Sequence, residues 1–122
     1  MLKYVVPVLH VSGSAAAEQF YCHQLGFRLR QAMRPDLAGA DPCYMVIERE
    51  GVWLHLSSFP GDGVSGGVVY LAVENVDAMH KELLARNVVI DSGPVDQSWG
   101  NREMYVKDPD GNCIRFIQER AR

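Results

Sequence analysis

Cysteine is scarce in this sequence of 122 residues, and the cysteines present form no recognisable pattern. Cys22, Cys43 and Cys113 are odd in number and lack the Cys-x-x-Cys spacing of a zinc ribbon. We therefore expect neither a disulfide framework nor a structural zinc site, so the fold has to be held by an ordinary packed core. This cysteine usage is typical of a reduced, cytoplasmic protein.

Clustered positive charge and long apolar runs are also lacking. The formal net charge is −3 at pH 7, and no run of lysine or arginine indicates a nucleic-acid surface. The longest apolar runs fall far short of the roughly 20 residues that a membrane-spanning helix needs. The opening residues, MLKYVVPVLHVSG, have one lysine and no long apolar region with a cleavage site, so we expect no signal peptide. The sequence therefore predicts no nucleic-acid partner and no membrane partner.

The rest of the composition favours one domain, residues 1–122, in which the same elements occur twice. Hydrophobic residues make up 48% of the chain, enough for a packed core. In the first half, the patterns predict a strand at 3–11, a helix at 14–25, a strand at 27–33 and hairpin strands at 43–49 and 52–57. In the second half, they predict a strand at 68–73, a helix at 76–86, a short strand beginning at 88–90 and hairpin strands at 102–107 and 113–118.

Helix caps recur at matching places in the two halves. Ser12 or Ser14 is the expected N-cap of the first helix, and Asn75 that of the second. Gly26 and Asn87 follow the helix ends, where a residue in the left-handed conformation is favoured. This repetition indicates that one structural unit is used twice.

The last hairpins support the same conclusion. The two hairpins align without a gap, CYMVIEREGVWLHLSSF on EMYVKDPDGNCIRFIQE, which places turn residue Gly51 on Gly111. The segment before the second hairpin, DSGPVDQSWG, is predicted to be a loop. Each half, residues 1–58 and 66–120, is therefore a βαβββ module, and the fold class is α+β. Neither module could bury its own sheet face alone, so we expect the two to lie side by side.

Alternation along the strands sorts the side chains into two faces. One face is almost purely aliphatic, with Leu9, Leu54 and Leu56 as examples, and we expect it to pack on the helices. The other, here called the mixed face, combines aromatic, ionisable and small residues, a composition typical of a ligand cleft. The candidate ligand-binding residues on the mixed face are His10, Trp53, His55, Tyr70, Glu103, Tyr105 and Arg115.

Several candidates have a second interpretation. Arg115 is either a donor to a polar group of a ligand or a charge paired with Glu103 or another acid. Trp53 and Tyr70 either line the cleft or are buried at a dimer seam. Trp99, in a glycine-flanked loop before a strand, is either a stacking platform for a planar ligand or a plug on its own sheet.

A doubled βαβββ chain with these landmarks resembles the vicinal oxygen chelate superfamily, which includes glyoxalase I, extradiol dioxygenases, fosfomycin-resistance enzymes and bleomycin-resistance proteins. The segments PVLHV, FYCHQLGF, SGPV and SWGNREMYVKDPDGNC resemble the bleomycin-resistance branch in particular. The resemblance implies a curved mixed sheet with a concave cleft. It also implies a homodimer that exchanges its N-terminal strands near Pro7 and forms ligand clefts at the interface, with Trp99 covering the ligand.

Carried onto this chain, the resemblance argues against a metal site. In the metalloenzymes of the superfamily, four strands each supply one ligand, and the corresponding residues here are Val6, His55, Val68 and Arg115. Valine has no donor atom and a guanidinium has no lone pair to give, so only His55 could bind a metal. We therefore expect neither a metal nor another cofactor.

The sequence thus favours non-enzymatic binding of a small molecule. Bleomycin-type glycopeptides are the family's example, but these are cationic, and a net charge of −3 is modest for binding them. An aromatic or anionic compound is the other candidate ligand. A glyoxalase-like lyase or isomerase using His10, His55 and Glu103 is the alternative function, and a small interaction module with a vestigial cleft is a third.

Overall fold

The computed structural model describes residues 1–120, and its elements follow the predicted repeat. The first module contains β1 (Val8–His10), α1 (Ser14–Glu18), a π-helical segment (Gln19–Gln24), β2 (Arg28–Met33), β3 (Tyr44–Arg49) and β4 (Val52–Ser57). The second contains β5 (Val68–Ala72), α2 (Val76–Ala85), β6 (Ser92–Asp96), β7 (Arg102–Lys107) and β8 (Cys113–Gln118). The predicted α+β fold with tandem βαβββ modules is confirmed.

The predicted mixed sheet is built as two four-stranded sheets with the same topology. Their strand orders are β1-β4-β3-β2 and β5-β8-β7-β6. In each, the first strand pairs in parallel with the last, and the remaining neighbours are antiparallel. The aliphatic faces of both sheets contribute to the buried core together with the helices, as the alternation predicted.

The register corrects the gapless alignment of the two hairpins. Tyr44 lies opposite Ser57 in the first hairpin, and Glu103 lies opposite Ile117 in the second. Tyr44 is therefore the structural counterpart of Glu103, one position away from the sequence alignment. The shift arises because β3 and β4 are joined by the tight turn at Glu50 and Gly51, both with positive φ, whereas β7 and β8 are joined by the longer Asp-Pro-Asp-Gly-Asn turn.

The predicted short strand at 88–90 is wrong, because the strand that pairs with β7 is β6, within the segment expected to be a loop. Gly93 has φ 87°, and a Cβ added there would lie 2.4 Å from the carbonyl oxygen of Glu103. Only glycine allows β6 to approach β7 so closely. The Gly-Pro pair that marks a loop in the sequence thus forms part of an irregular edge strand, with a register shift between Ser92 and Val95.

The first predicted strand is also shorter than expected. The ladder with β4 covers Val8–His10, with one further bond from the His55 amide to the Pro7 carbonyl at 3.0 Å. Residues 1–7, here called the N-terminal arm, form no strand within the described chain. Leu2, Tyr4 and Val5 on the arm are almost fully exposed. The apolar pattern is present, but residues 8–120 offer the arm no neighbouring strand.

The first helix deviates in its type and in its cap. It is α-helical only to Glu18 and then continues as the π-helical segment. Gly13 is the N-cap residue and has no side chain to cap with, so the predicted Ser12 or Ser14 cap is wrong; the Ser14 amide instead donates to Asp41 Oδ1 at 3.0 Å. The predicted left-handed Gly26 and the Asn75 cap of α2 are confirmed.

The Asp-Pro-Asp-Gly-Asn turn connects the modules through buried polar groups. Asp108 Oδ2 accepts a hydrogen bond from the Tyr21 hydroxyl at 2.7 Å, and burial together with this carboxylate raises the pKa of Tyr21. The Asn112 side chain donates to the His10 carbonyl at 2.8 Å and accepts from the amides of Gly66 and Gly67 at 2.9 Å. The turn of the second module therefore fixes β1 of the first.

An ion pair makes a second connection between the modules. The Arg49 guanidinium donates to both oxygens of Glu82 on α2, at 2.7 and 2.8 Å, and also to the Leu25 carbonyl at 2.8 Å. These hydrogen bonds lower the pKa of Glu82 and raise the pKa of Arg49. Across residues 1–120, every helix is too short or too polar to cross a membrane.

Candidate functional site

The mixed face of the second sheet carries a stacked arginine. Parallel pairing places Tyr70 beside Arg115, and antiparallel pairing places Tyr105 on its other side. The Arg115 guanidinium lies over the Tyr105 ring, with its central carbon 4.9 Å from the ring centroid. This is a cation–π contact on a surface that the solvent reaches, since Arg115 is exposed.

Glu103, on the same face, is buried and hydrogen-bonded through both carboxylate oxygens. It is only 3% exposed. Oε1 accepts from the Tyr105 hydroxyl at 2.5 Å, and Oε2 accepts from the Trp99 indole nitrogen at 2.8 Å. The bond to this carboxylate raises the pKa of Tyr105. The contacts thus form a series that runs from Trp99 through Glu103 and Tyr105 to Arg115.

The predicted ion pair between Arg115 and Glu103 is wrong. Among residues 1–120, no carboxylate lies within ion-pair distance of the Arg115 guanidinium. The register explains this, because Glu103 lies opposite Ile117 rather than Arg115. The hydroxyl of Tyr105 then reaches the carboxylate, and its ring supports the guanidinium.

Trp99 combines features of both predicted roles. Its indole N–H is fixed to a buried carboxylate, as a structural residue would be, yet 59% of the residue is exposed. The hydrogen bond uses the edge of the indole and leaves ring surface open to solvent. An anchored ring of this kind is suited to stack on a planar molecule with little loss of side-chain entropy.

The mixed face of the first sheet carries imidazole and hydroxyl groups instead. The Tyr44 hydroxyl lies 2.7 Å from His55 Nδ1, and the two rings meet edge to face with centroids 5.3 Å apart. Burial and the nearby Asp62 carboxylate raise the pKa of Tyr44. Ser57 donates to Asp62 Oδ2 at 2.6 Å, and the buried Nδ1 atom of His10 has no hydrogen-bond partner among the described residues.

Two members of this first-sheet group, Tyr44 and Asp62, were missed by the sequence analysis. Tyr44 could have been found by extending the alternation to β3, since it lies opposite Ser57, a residue on the mixed face of β4. Asp62 carried no such signal, because it belongs to a glycine-rich loop without periodicity.

The mixed faces remain open in a single chain. Trp53 on β4 is 41% exposed and Tyr70 on β5 is 52% exposed, while the aliphatic face of the same strands is buried. A cavity of about 300 Å³ lies where the N-terminal arm meets Trp53 and Tyr70. Another, of about 440 Å³, lies between the modules beside Arg49, Leu71 and Glu82. Neither of these cavities is lined by His55 or Arg115, so both residues lie on open sheet surface outside them.

The residues present do not fit the metal of the superfamily's enzymes. Val6 lies in the N-terminal arm and Val68 is exposed on β5, and neither has a donor atom. Arg115 is stacked on Tyr105, and Nδ1 of His55 is already bonded to Tyr44. Within the part of the chain that the structure describes, no three His, Cys, Asp or Glu side chains are grouped as a metal site requires.

Paired βαβββ modules with open, chemically mixed sheet faces define a protein of the vicinal oxygen chelate type. The model of a family described as glyoxalase superfamily proteins matches residues 1–122, so the chain belongs to the glyoxalase superfamily, and the predicted relationship is confirmed. No curated protein matches the sequence.

Solved structures of similar fold include antibiotic binders. An antibiotic-binding protein from Streptomyces sp. CB03234, TnmS3, has 28% sequence identity and a TM-score of 0.72, covering 98% of this chain and 99% of that chain. A bleomycin-binding protein in complex with bleomycin has 23% identity and a TM-score of 0.74, covering 98% of this chain and 100% of that chain. The bleomycin-resistance determinant encoded on the transposon Tn5 has 22% identity and a TM-score of 0.75 with the same coverage. The two bleomycin-related structures show likeness of fold alone.

Proposed function

We propose that this protein binds a planar aromatic or glycopeptide-type small molecule in clefts between two copies of the chain, and holds it without converting it. The observation that carries the proposal is the open mixed face of each sheet, on which Trp53, Tyr70 and the anchored Trp99 stay exposed. Exposed aromatic side chains grouped on one surface are typical of sites that bind a partner or a ligand. The antibiotic-binding relative with 28% identity supports the same function.

The state of Glu103 argues against the alternative of a lyase or isomerase. A general base needs a carboxylate oxygen free to take a proton from the substrate. Both oxygens of Glu103 already accept hydrogen bonds, from Trp99 and Tyr105, and the residue is buried. His10 and His55 lie on the other sheet. The acid–base groups proposed for catalysis are therefore separated and partly occupied, which favours binding.

A homodimer with exchanged N-terminal arms would complete the clefts. The arm extends from β1 with Leu2, Tyr4 and Val5 exposed, and it has no strand partner among residues 1–120. An apolar segment next to a strand, with its backbone groups unpaired, is a typical site of pairing with a second chain. Pro7, which lacks an amide donor, marks the point where the arm leaves β4.

The dimer is tested by light scattering at micromolar concentration. The full chain should give about twice its mass of 13.6 kDa. A variant lacking residues 1–6 should shift toward the monomer, while its circular dichroism stays that of a folded protein. A monomeric full-length chain would remove half of each proposed cleft and contradict this part of the proposal.

The binding function is tested by titrating the protein with metal-free bleomycin and with uncharged planar aromatics while tryptophan fluorescence is recorded. Saturable quenching is expected for at least one of these compounds, and mass spectrometry should recover that compound unchanged after long incubation. Elemental analysis of the same preparation should show well under one metal ion per chain. Turnover of the compound, or stoichiometric metal with a matching activity, would favour the enzyme; absence of any quenching would favour the interaction module.

A further inference from the structure

Arg115 is held by an aromatic ring rather than by an acid. The central carbon of its guanidinium lies over the Tyr105 ring, 4.9 Å from the centroid, and no described carboxylate is close enough to form an ion pair with it. A cation–π contact, unlike an ion pair, does not occupy the N–H donors of the guanidinium with hydrogen bonds to an acid. The N–H donors lie in the guanidinium plane and point outward from its edge. Arg115 is exposed, so these donors are presented on the mixed face.

The acids of this part of the sheet differ from Arg115, because each already accepts a hydrogen bond from a neighbouring side chain. Glu103 is buried, and its two oxygens are bonded to Trp99 and Tyr105. The carboxylate of Glu119, which follows β8, accepts a hydrogen bond from the Tyr70 hydroxyl at 2.7 Å. A ligand that approaches this part of the sheet therefore meets the exposed guanidinium of Arg115, whereas the carboxylates of Glu103 and Glu119 are already bonded to side chains.

A planar surface lies in the same set of contacts. The indole of Trp99 is fixed to Glu103, Glu103 is bonded to Tyr105, and Tyr105 supports Arg115. The series links an exposed aromatic ring to the guanidinium of Arg115 through one buried carboxylate and one tyrosine. Such a pair matches a molecule that has a flat apolar part and an anionic group, because an arginine can bind a carboxylate or sulfonate with two parallel hydrogen bonds.

From this arrangement we infer that the cleft selects planar aromatic ligands that carry an anionic group, with the anion on the guanidinium edge of Arg115 and the ring system on Trp99. This inference rests on the proposed function, since it specifies the ligand of the same cleft. It also implies that a cationic ligand is disfavoured, because it would meet the exposed charge of Arg115.

Three probes of matched shape test the charge preference by calorimetry on the full-length protein: naphthalene-2-carboxylate, naphthalene-2-carboxamide and 2-naphthylmethylammonium. The carboxylate should bind at least about tenfold more tightly than the amide, as expected for a charge-assisted pair, and the ammonium should bind most weakly. The affinity of the carboxylate should fall as salt is raised, while that of the amide stays constant.

Substitutions then assign the preference to Arg115. Arg115→Met should weaken binding of the carboxylate far more than binding of the amide, and so remove most of the advantage of the carboxylate. Arg115→Lys should keep part of the advantage, because it retains the charge but not the paired donors. Lys81→Met, which makes the same change in net charge on the exposed side of α2, should leave all three affinities unchanged.

The outcomes separate this inference from the function on which it rests. If the amide and the ammonium bind as tightly as the carboxylate, ligand binding stands and the charge selection is wrong. If Arg115→Met weakens all three probes equally, Arg115 only supports Tyr105, and the inference is again wrong. If none of the probes binds and the broader titration also fails, both proposals are wrong. Should Arg115→Met not fold, the wild-type ranking and its salt dependence still decide the matter.

Discussion

The two sheets share one topology but present different chemistry on their mixed faces. His55 on the first sheet and Arg115 on the second occupy equivalent positions, each in the last strand of its module. His55 is bonded to the Tyr44 hydroxyl, whereas Arg115 is stacked on Tyr105. The aliphatic faces stay alike because both must fill a core. The mixed faces are only partly buried, and they are where the chemistry of the two modules differs.

The first prediction concerns the hydrogen bonds through which the turn of the second module holds β1 of the first. We expect Asn112→Ala to have the largest effect on stability, because it removes bonds to the His10 carbonyl and to the amides of Gly66 and Gly67. Leaving several buried groups unpaired should cost about 3 kcal/mol in the free energy of unfolding. Urea denaturation measures it, and Asp110→Ala, which removes a single exposed bond to the Ser12 amide, is the control.

A loss below about 1 kcal/mol for Asn112→Ala would show that water replaces these bonds and that the turn does not fix β1.

The second prediction concerns Trp99, the exposed aromatic residue anchored to Glu103. Trp99→Ala should weaken binding of a planar ligand by about tenfold to a hundredfold, because it removes the anchored ring. Trp99→Phe should keep most of the affinity, since a ring remains, but should lose stability like Trp99→Ala, since Glu103 loses a donor in both. Calorimetric binding and thermal melting of the two variants separate stacking from the hydrogen bond. Equal affinity for wild type and Trp99→Ala would remove Trp99 from the site.

The third prediction compares the stability contributed by two tyrosine hydroxyl groups, that of Tyr105 on the second mixed face and that of Tyr44 on the first. Tyr105→Phe removes a donor from the buried carboxylate of Glu103 and should cost about 2 kcal/mol of stability, as expected for a bond to a charged group. Tyr44→Phe removes a bond to a half-buried imidazole and should cost about 1 kcal/mol. Both variants keep the ring, so packing is matched. Chemical denaturation compares them, and the reverse order would show that Glu103 recovers its bond from water.

The smallest expected effect concerns the ion pair between the modules, and it depends on pH. Arg49 lowers the pKa of Glu82 below its ordinary value of 4.5, so the folded state favours the ionised form. The stabilisation is therefore present above about pH 4.5 and is lost as the pH falls through the lowered pKa of the folded state. Since the Glu82 side chain is 35% exposed, solvent screening should keep the contribution below about 1 kcal/mol.

Glu82→Gln tests this pH dependence. Its free energy of unfolding should lie below that of the wild type at neutral pH, and the two should converge in acid. Asp77→Asn, which removes one partner of the more exposed pair with Arg102, is the matched control and should show a smaller difference. A difference for Glu82→Gln that stays constant down to about pH 3 would mean that the amide packs differently, without a contribution from the charge.

Much of the candidate site could be predicted because strand alternation is a local property. The mixed-face assignment of Trp53, His55, Tyr70, Tyr105 and Arg115 follows from a period of two along each strand. The partners of these residues could not be predicted in the same way. A shift of one residue in the second hairpin decides that Glu103 meets Ile117, and this shift depends on the turn geometry.

The sequence by itself determined the repeated βαβββ pattern, the core-facing residues and most helix caps and turns, because each depends on periodicity or on the conformational preference of single residues. Only the tertiary structure decided that β6 forms through the close backbone approach at Gly93 and that the N-terminal arm has no strand partner among residues 1–120. It alone also placed Arg115 on Tyr105, with Glu103 bonded to Trp99 instead. The reason is that competition among several possible partners for one side chain is settled by distance and direction in the folded chain, and neither is encoded in spacing along the sequence.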